Sequence, residues 1–151
     1  IEANMQGQKM TLSKTTFNGN RGYSEMQGQR VEFDEKQLDE NKNVKGIFEE
    51  LYFKAEELEL ISINSVNYQD AYKVKVTIDG KESHRYYSVE SGLLLSTEDT
   101  DDNNNVVTTN YGDYQSVQNI MLPFYMELPA QKLEFKTTSV EINKEIKDSS
   151  F

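Results

Sequence analysis

The sequence predicts an α+β fold dominated by β structure, with one curved antiparallel sheet and one main amphipathic helix, on three observations. Tyr72, Val74, Val76 and Ile78 alternate with Lys73, Lys75, Thr77 and Asp79, the period of two of a strand with one buried and one wet face. Turn signals then recur at short spacing, at Asp79-Gly80, Ser91-Gly92, Asp101-Asp102-Asn103-Asn104-Asn105 and Gln118-Asn119, with no helical pattern between them. Helical spacing of apolar residues is confined to one stretch, between about residues 35 and 52.

Taken in order, residues 9–17, 22–27 and 29–33 have the length and the β-branched or aromatic content of short strands. Asn18-Gly19-Asn20-Arg21-Gly22 separates the first two as a turn. Met5-Gln6-Gly7-Gln8-Lys9 recurs as Met26-Gln27-Gly28-Gln29-Arg30, but two copies fall short of the three a solenoid needs to bury a core. Asp34 offers an N-cap before Glu35-Lys36-Gln37, and Leu38, Val44, Ile47, Phe48 and Leu51 supply the apolar stripe of a helix over about residues 35–52, interruptible at Gly46. That stripe calls for a sheet to cover it. Asp79-Gly80 joins the alternating strand to a second one over residues 83–89. Pro123 and Pro129 bracket a later strand and mark it as an edge or as irregular at its ends, and a last strand covers residues 133–142. The sum is nine or ten short strands and one helix in a single domain, the size expected for 151 residues.

Composition removes several function classes. Asp and Glu number 26 against 16 Lys and Arg, a formal charge of -10 that repels phosphate backbones and anionic headgroups, so nucleic acid is not an expected partner. The longest apolar runs, Gly92-Leu93-Leu94-Leu95 and Ile120-Met121-Leu122-Pro123-Phe124, fall far below the ~20 residues of a membrane-spanning helix. With no cysteine there is neither a disulfide nor a thiolate metal site. The start at Ile1-Glu2-Ala3-Asn4 reads as a processed or trimmed end, without an initiator Met or a signal-peptide pattern.

Chemistry is hard to place. His84 is the sole histidine, which excludes a two-histidine metal site within the chain, and no Gly-x-Ser-x-Gly elbow accompanies it. Mid-strand beside Arg85 and Tyr86, it reads as a strand histidine rather than a general base. Asp99-x-Asp101-x-Asn103 begins like a calcium loop, yet Asn104 and Asn110 stand where such a loop needs Gly and a bidentate Glu, which favours a solvated hairpin tip. Gly7, Gly19, Gly22 and Gly28 read as turn or bulge glycines, and no nucleotide-binding loop is present, so no cofactor is expected. No catalytic or metal-ligating residue is nominated.

Asp70-Ala71-Tyr72-Lys73-Val74, Tyr86-Tyr87-Ser88-Val89-Glu90-Ser91-Gly92-Leu93-Leu94, Asn110-Tyr111-Gly112-Asp113-Tyr114, Ile120-Met121-Leu122-Pro123-Phe124 and Val140-x-Ile142-Asn143 together carry a resemblance. The chain, from about residue 8 to its end, resembles the LolA/LolB-like lipoprotein-carrier domains of Bacteroidetes envelope proteins, and most of all the carboxy-terminal extensions of secreted insulinase-like zinc peptidases. The resemblance implies an antiparallel half-barrel whose concave side accepts acyl chains, in the periplasm or at the outer membrane. It also implies an opening helix and first strands that this chain lacks, and no peptidase motif is present. Tyr68 and Asn119 stand where such domains tend to have glycine. Tyr68 therefore implies either a different turn or an avoidance of positive φ, whereas Asn tolerates that region.

Two functions follow. A carrier would line its hydrophobic cavity with Tyr72, Val74, Val76, Tyr87, Val89, Phe124, Met126 and Phe135, gaining ~0.8 kcal/mol for each CH₂ of a lipid or lipoprotein acyl chain it buries. Alternatively the same side chains pack beneath the helix as a filled core, and the chain is an accessory domain that docks on a peptidase domain or another envelope protein. In that second case, with the opening helix and strands missing, an unprotected sheet edge and an exposed apolar strip would invite a homodimer through edge strands. A hydrolase is the third and weakest reading, and it would depend on His84.

Overall fold

A computed structural model of the chain describes residues 2–5, 8–11, 13–26, 28–42, 48–101 and 103–142. Where composition suggests one domain, the chain is organised as two compact units, Ile1–Glu49 with Asn143–Phe151, and Glu50–Ile142.

In the first unit, β1 (Glu2–Met5) pairs antiparallel with β2 (Gln8–Thr11), and β3 (Ser13–Phe17), β4 (Gly22–Met26) and β5 (Gln29–Glu32) form a three-stranded antiparallel sheet. The sequence repeat is explained locally. Met5 pairs with Gln8 and Met26 with Gln29, so each copy of Met-Gln-Gly-Gln closes a two-residue hairpin connection. The turn between β3 and β4 is organised by Asn18, whose side-chain oxygen accepts the Asn20 and Arg21 amides at 3.0 and 2.9 Å. Gly22, at the start of the central strand, lies beneath the Phe33 ring, which also stands 6.5 Å from the Phe17 ring. Tyr23 next to it is buried, with the Arg30 guanidinium 3.8 Å from its ring centroid.

The helix is shorter than the spacing predicts. Asp34 and Gln37 form the expected cap as a reciprocal box: the Gln37 amide donates to Asp34 Oδ1 at 2.8 Å and the Asp34 amide to Gln37 Oε1 at 3.0 Å. The helix α1 then runs only over Glu35–Lys42, none of its residues is fully buried, and it carries Leu38 as its sole apolar residue. Val44, Gly46 and Ile47 lie outside the described residues. Beyond them Glu49–Tyr52 is a 3-10 turn with Leu51 exposed. Eight residues with one apolar side chain cannot make the stripe that the predicted longer helix would present.

The second unit begins within the Glu49–Tyr52 turn, passes through a second 3-10 turn over Ala55–Glu57 and continues as a seven-stranded antiparallel meander: β6 (Leu58–Val66), β7 (Gln69–Ile78), β8 (Lys81–Ser88), β9 (Leu94–Thr100), β10 (Val106–Val117), β11 (Ile120–Leu128) and β12 (Leu133–Lys136). Strands neighbour one another in chain order from β6 at one edge to β12 at the other, so the curved sheet is open and closes no barrel. Twelve strands are thus present among the described residues, rather than nine or ten.

Three two-residue hairpins set the register, closed by Val66 with Gln69, Ile78 with Lys81 and Val117 with Ile120. In each, both loop residues have positive φ: Asn67 and Tyr68 at 48° and 64°, Asp79 and Gly80 at 50° and 76°, Gln118 and Asn119 at 51° and 67°. That is the primed turn whose twist matches the strands it joins. Tyr68 therefore does not avoid the left-handed region; hairpin closure holds it there. Two bulges, between Leu60 and Ser62 and opposite Tyr86 and Tyr87, interrupt the pairing and bend the sheet.

Pro123 lies inside β11, not at its end. β12 pairs with β11 only as far as Tyr125 with Lys136, followed by one bond from the Thr137 amide to the Phe124 carbonyl. At Pro123 the strand is therefore itself the edge, the position a residue without an N–H tolerates. β12 also ends at Lys136, short of the predicted residue 142, and the residues that follow it to 142 are not in a strand.

Candidate ligand-binding face

Side chains on a strand alternate between faces and paired residues share one, so the register assigns each residue to a side of the seven-stranded sheet. Tyr72 pairs with Tyr87, Val74 with Arg85 and Val76 with Ser83 across β7 and β8. Arg85 pairs with Thr97, Thr109 lies opposite Thr97, Tyr111 opposite Met126, and Met126 opposite Phe135. Phe124 follows Met126 by alternation along β11. Seven of the eight residues nominated from sequence, Tyr72, Val74, Val76, Tyr87, Phe124, Met126 and Phe135, thus occupy one apolar face. Val89 lies past the end of β8 in the turn before β9, where its amide donates to the Asp70 carbonyl at 2.9 Å.

β6 extends this face in a way the sequence reading missed. Leu58 pairs with Val76, Leu60 with Val74 and Ile63 with Tyr72, so three more apolar side chains join the row. The alternation is out of step between Leu60 and Ile63 because the bulge inserts Ile61 between them. A strict period-two scan breaks at that point.

Exposure on the face is graded. Val76 is 1% exposed and Phe124 8%, Val74, Tyr87, Met126 and Phe135 are half-buried, and Leu60 and Ile63 on the edge strand are 64% and 59% exposed. Over part of the face lies the 3-10 turn around Glu50, whose carboxylate accepts the Tyr87 hydroxyl at 3.3 Å. Tyr114 lies nearby. Its hydroxyl donates to the Leu94 carbonyl at 2.6 Å, and burial, with lesser contributions from Tyr111 and Glu50, pushes its phenol up to about 12. Arg85 is a polar interruption of the face, buried at 6% exposure with Nη1 2.9 Å from Asp99 Oδ1. Its guanidinium is thereby paired within the sheet, as a buried charge requires.

The opposite face is polar and linked internally. Glu98 Oε2 accepts the Tyr86 hydroxyl at 2.8 Å and lies 3.6 Å from Lys73 Nζ and 3.7 Å from His84 Nδ1. Lys73 also stands 5.3 Å over the Tyr86 ring, and its ammonium is held above the usual lysine range by the Tyr86 hydroxyl and, less, by Glu98. Farther along, the Ser96 hydroxyl donates to Asn110 Oδ1 at 3.0 Å and Asn110 Nδ2 to Glu127 Oε2 at 3.2 Å. His84 thus has a carboxylate neighbour that sequence spacing does not announce: Glu98 is fourteen positions away and arrives by strand pairing. At one end of this face Ala71, Tyr86 and Leu95 pack together with Val66, Leu95 standing at the second bulge.

The hairpin tip that begins like a calcium loop is closed by its own hydrogen bonds. Asp101 Oδ1 accepts the Asn103 and Asn105 amides, each at 2.8 Å, and those bonds, led by the one from the Asn105 backbone, hold the carboxyl below its usual range. Among the described residues no helix is long and apolar enough to cross a membrane. No protein-family model matches the chain, and neither a curated protein nor a solved structure matches it significantly.

Proposed function

We propose that the chain is a non-catalytic envelope domain, of the lipoprotein-carrier kind its sequence resembles, that binds a hydrophobic ligand or acyl chain on the apolar face of its larger sheet. The observation that carries this reading is the exposed row Leu58, Leu60, Ile63 and Tyr72, which continues without a break into the buried Val76. An apolar chain laid along such a row leaves water on one side and meets packed side chains on the other, at ~0.8 kcal/mol for each CH₂ covered. A periplasmic or outer-membrane location belongs to the same proposal.

Native mass spectrometry of freshly purified protein, with displacement of a fluorescent fatty acid, tests the proposal. Co-purified lipid is expected, and replacing Leu60 and Tyr72 together with Asp should weaken displacement by about tenfold or more. A protein that carries no lipid and displaces no probe defeats the carrier reading. The second reading, an accessory domain of a peptidase or envelope complex with a filled core, is favoured by the burial of Val76, Leu122 and Phe124. Hydrolysis by an imidazole base would require His84, and any activity that persists in His84→Ala excludes that mechanism.

A further inference from the structure

The two edges of the seven-stranded sheet are built differently. β12 is four residues long, carries Glu134 and Lys136, and follows a turn that starts at Pro129, the features with which edge strands resist pairing. β6 is nine residues long and contains no proline and no lysine, and every residue from Leu58 to Ser65 is exposed. Among the described residues its strand partner is β7 alone, so one row of backbone donors and acceptors faces outward.

The charge of β6 is equally unusual in a chain of net charge -10. Its one charged residue, Glu59, lies 2.6 Å from Lys75 Nζ on the neighbouring strand, an ammonium that also stands 3.8 Å from Glu82 on β8. A basic partner drawn by the acidic surface would find on β6 itself a single carboxylate that already has a lysine partner. A second copy brings the same apolar strand, and antiparallel pairing of a strand with itself satisfies two-fold symmetry without any further fit.

We propose that two copies of this chain associate by antiparallel pairing of their β6 strands, giving one continuous sheet across a two-fold axis perpendicular to it. Such an axis keeps both apolar faces on the same side, so Leu60 and Ile63 of the two copies lie in one uninterrupted apolar surface. Away from the strand the copies repel one another, so the dimer tightens as salt screens the carboxylates. The pairing stands whether or not a lipid binds.

Light scattering and sedimentation of the full chain across concentration test the proposal, with parent, Ile63→Lys and Leu133→Lys measured together. Ile63 is exposed, so lysine there leaves the fold intact while placing two like charges at the junction. The expected result is a parent dimer, a dissociation constant raised at least about tenfold in Ile63→Lys, and no change in Leu133→Lys on the opposite edge. Hydrogen exchange on the parent supplies a measurement that needs no variant: the outward β6 amides gain protection with concentration and those of β12 do not. A parent that stays monomeric, a dimer that survives Ile63→Lys, or a dimer whose β6 amides stay unprotected overturns the proposal.

Discussion

Replacing Tyr68 with glycine should stabilise the chain by up to about 1.5 kcal/mol. Tyr68 is the second residue of the two-residue β6–β7 loop, at φ 64°, and its side chain is fully exposed at 104%. Removing the side chain therefore uncovers nothing. An L-residue in the left-handed region costs roughly 1–2 kcal/mol, while the wider freedom of glycine in the unfolded chain takes back roughly 0.5–1 kcal/mol. A glycine directly after Asn67 would also complete the Asn-Gly pair that this turn favours most. Urea unfolding reads the change as a higher midpoint at constant slope, and thermal unfolding as a rise of about 2 °C. Tyr68→Ala is the control, since it deletes the ring but keeps a Cβ at positive φ, and should stay within about 0.5 kcal/mol of the parent. If alanine stabilises as much as glycine, or if glycine destabilises, backbone strain at this turn is the wrong account and the ring has a role that its exposure does not reveal.

Gly22→Ala should destabilise the three-stranded sheet by roughly 1–3 kcal/mol, because a Cβ there would sit 2.9 Å from the Thr16 carbonyl oxygen and against the Phe33 ring; faster exchange of the β3–β5 amides, with β6–β12 unchanged, is the expected readout. Tyr114→Phe should cost about 1 kcal/mol through loss of the bond to the Leu94 carbonyl. It should also remove part of the alkaline unfolding. The folded phenol holds its proton to about 12 against an ordinary value of 10.0, so its contribution is complete below pH 10.0 and falls away as pH rises toward 12; equal alkaline slopes in parent and variant would refute this. Raising salt from about 50 to 500 mM should tighten binding of an anionic fatty acid to the acidic chain and leave a neutral lipid nearly unchanged; a fall in fatty-acid affinity would show that a cationic site, not the apolar row, holds the ligand.

The meander was legible because its hairpins carry their own chemistry. Asp79-Gly80, Gln118-Asn119 and the Asp101–Asn105 stretch each place residues that tolerate or favour positive φ at the loop, and the strands between them inherit their register from those loops. Alternation then put seven of eight nominated apolar residues on one face. What stayed hidden depended on breaks in the same rules. Ile61 shifts the phase of β6, so Leu58, Leu60 and Ile63 do not read as one row. Tyr68 is a residue that no propensity places in a primed turn. The predicted helix is too long because Phe48 and Leu51 fall at helical spacing from Val44, although the eight residues that do form the helix have almost nothing apolar to bury. Glu98 beside His84 is a product of register between strands, and local spacing carries no trace of it.

The two faces of the larger sheet differ in what they leave unfinished. On the polar face Tyr86, Lys73 and His84 converge on Glu98, and Ser96, Asn110 and Glu127 continue the chain of contacts across β9, β10 and β11. Its donors and acceptors are used internally, so a partner arriving there would have to replace bonds already made. On the apolar face Val76 and Phe124, each one strand in from an edge, are packed, whereas Leu60 and Ile63 on β6 remain exposed to water. In a chain of net charge -10, β6 carries one carboxylate, Glu59, and that one is paired with Lys75. The ligand proposed for the face and the second copy proposed for the β6 edge would both draw on an apolar row that folding leaves half-covered.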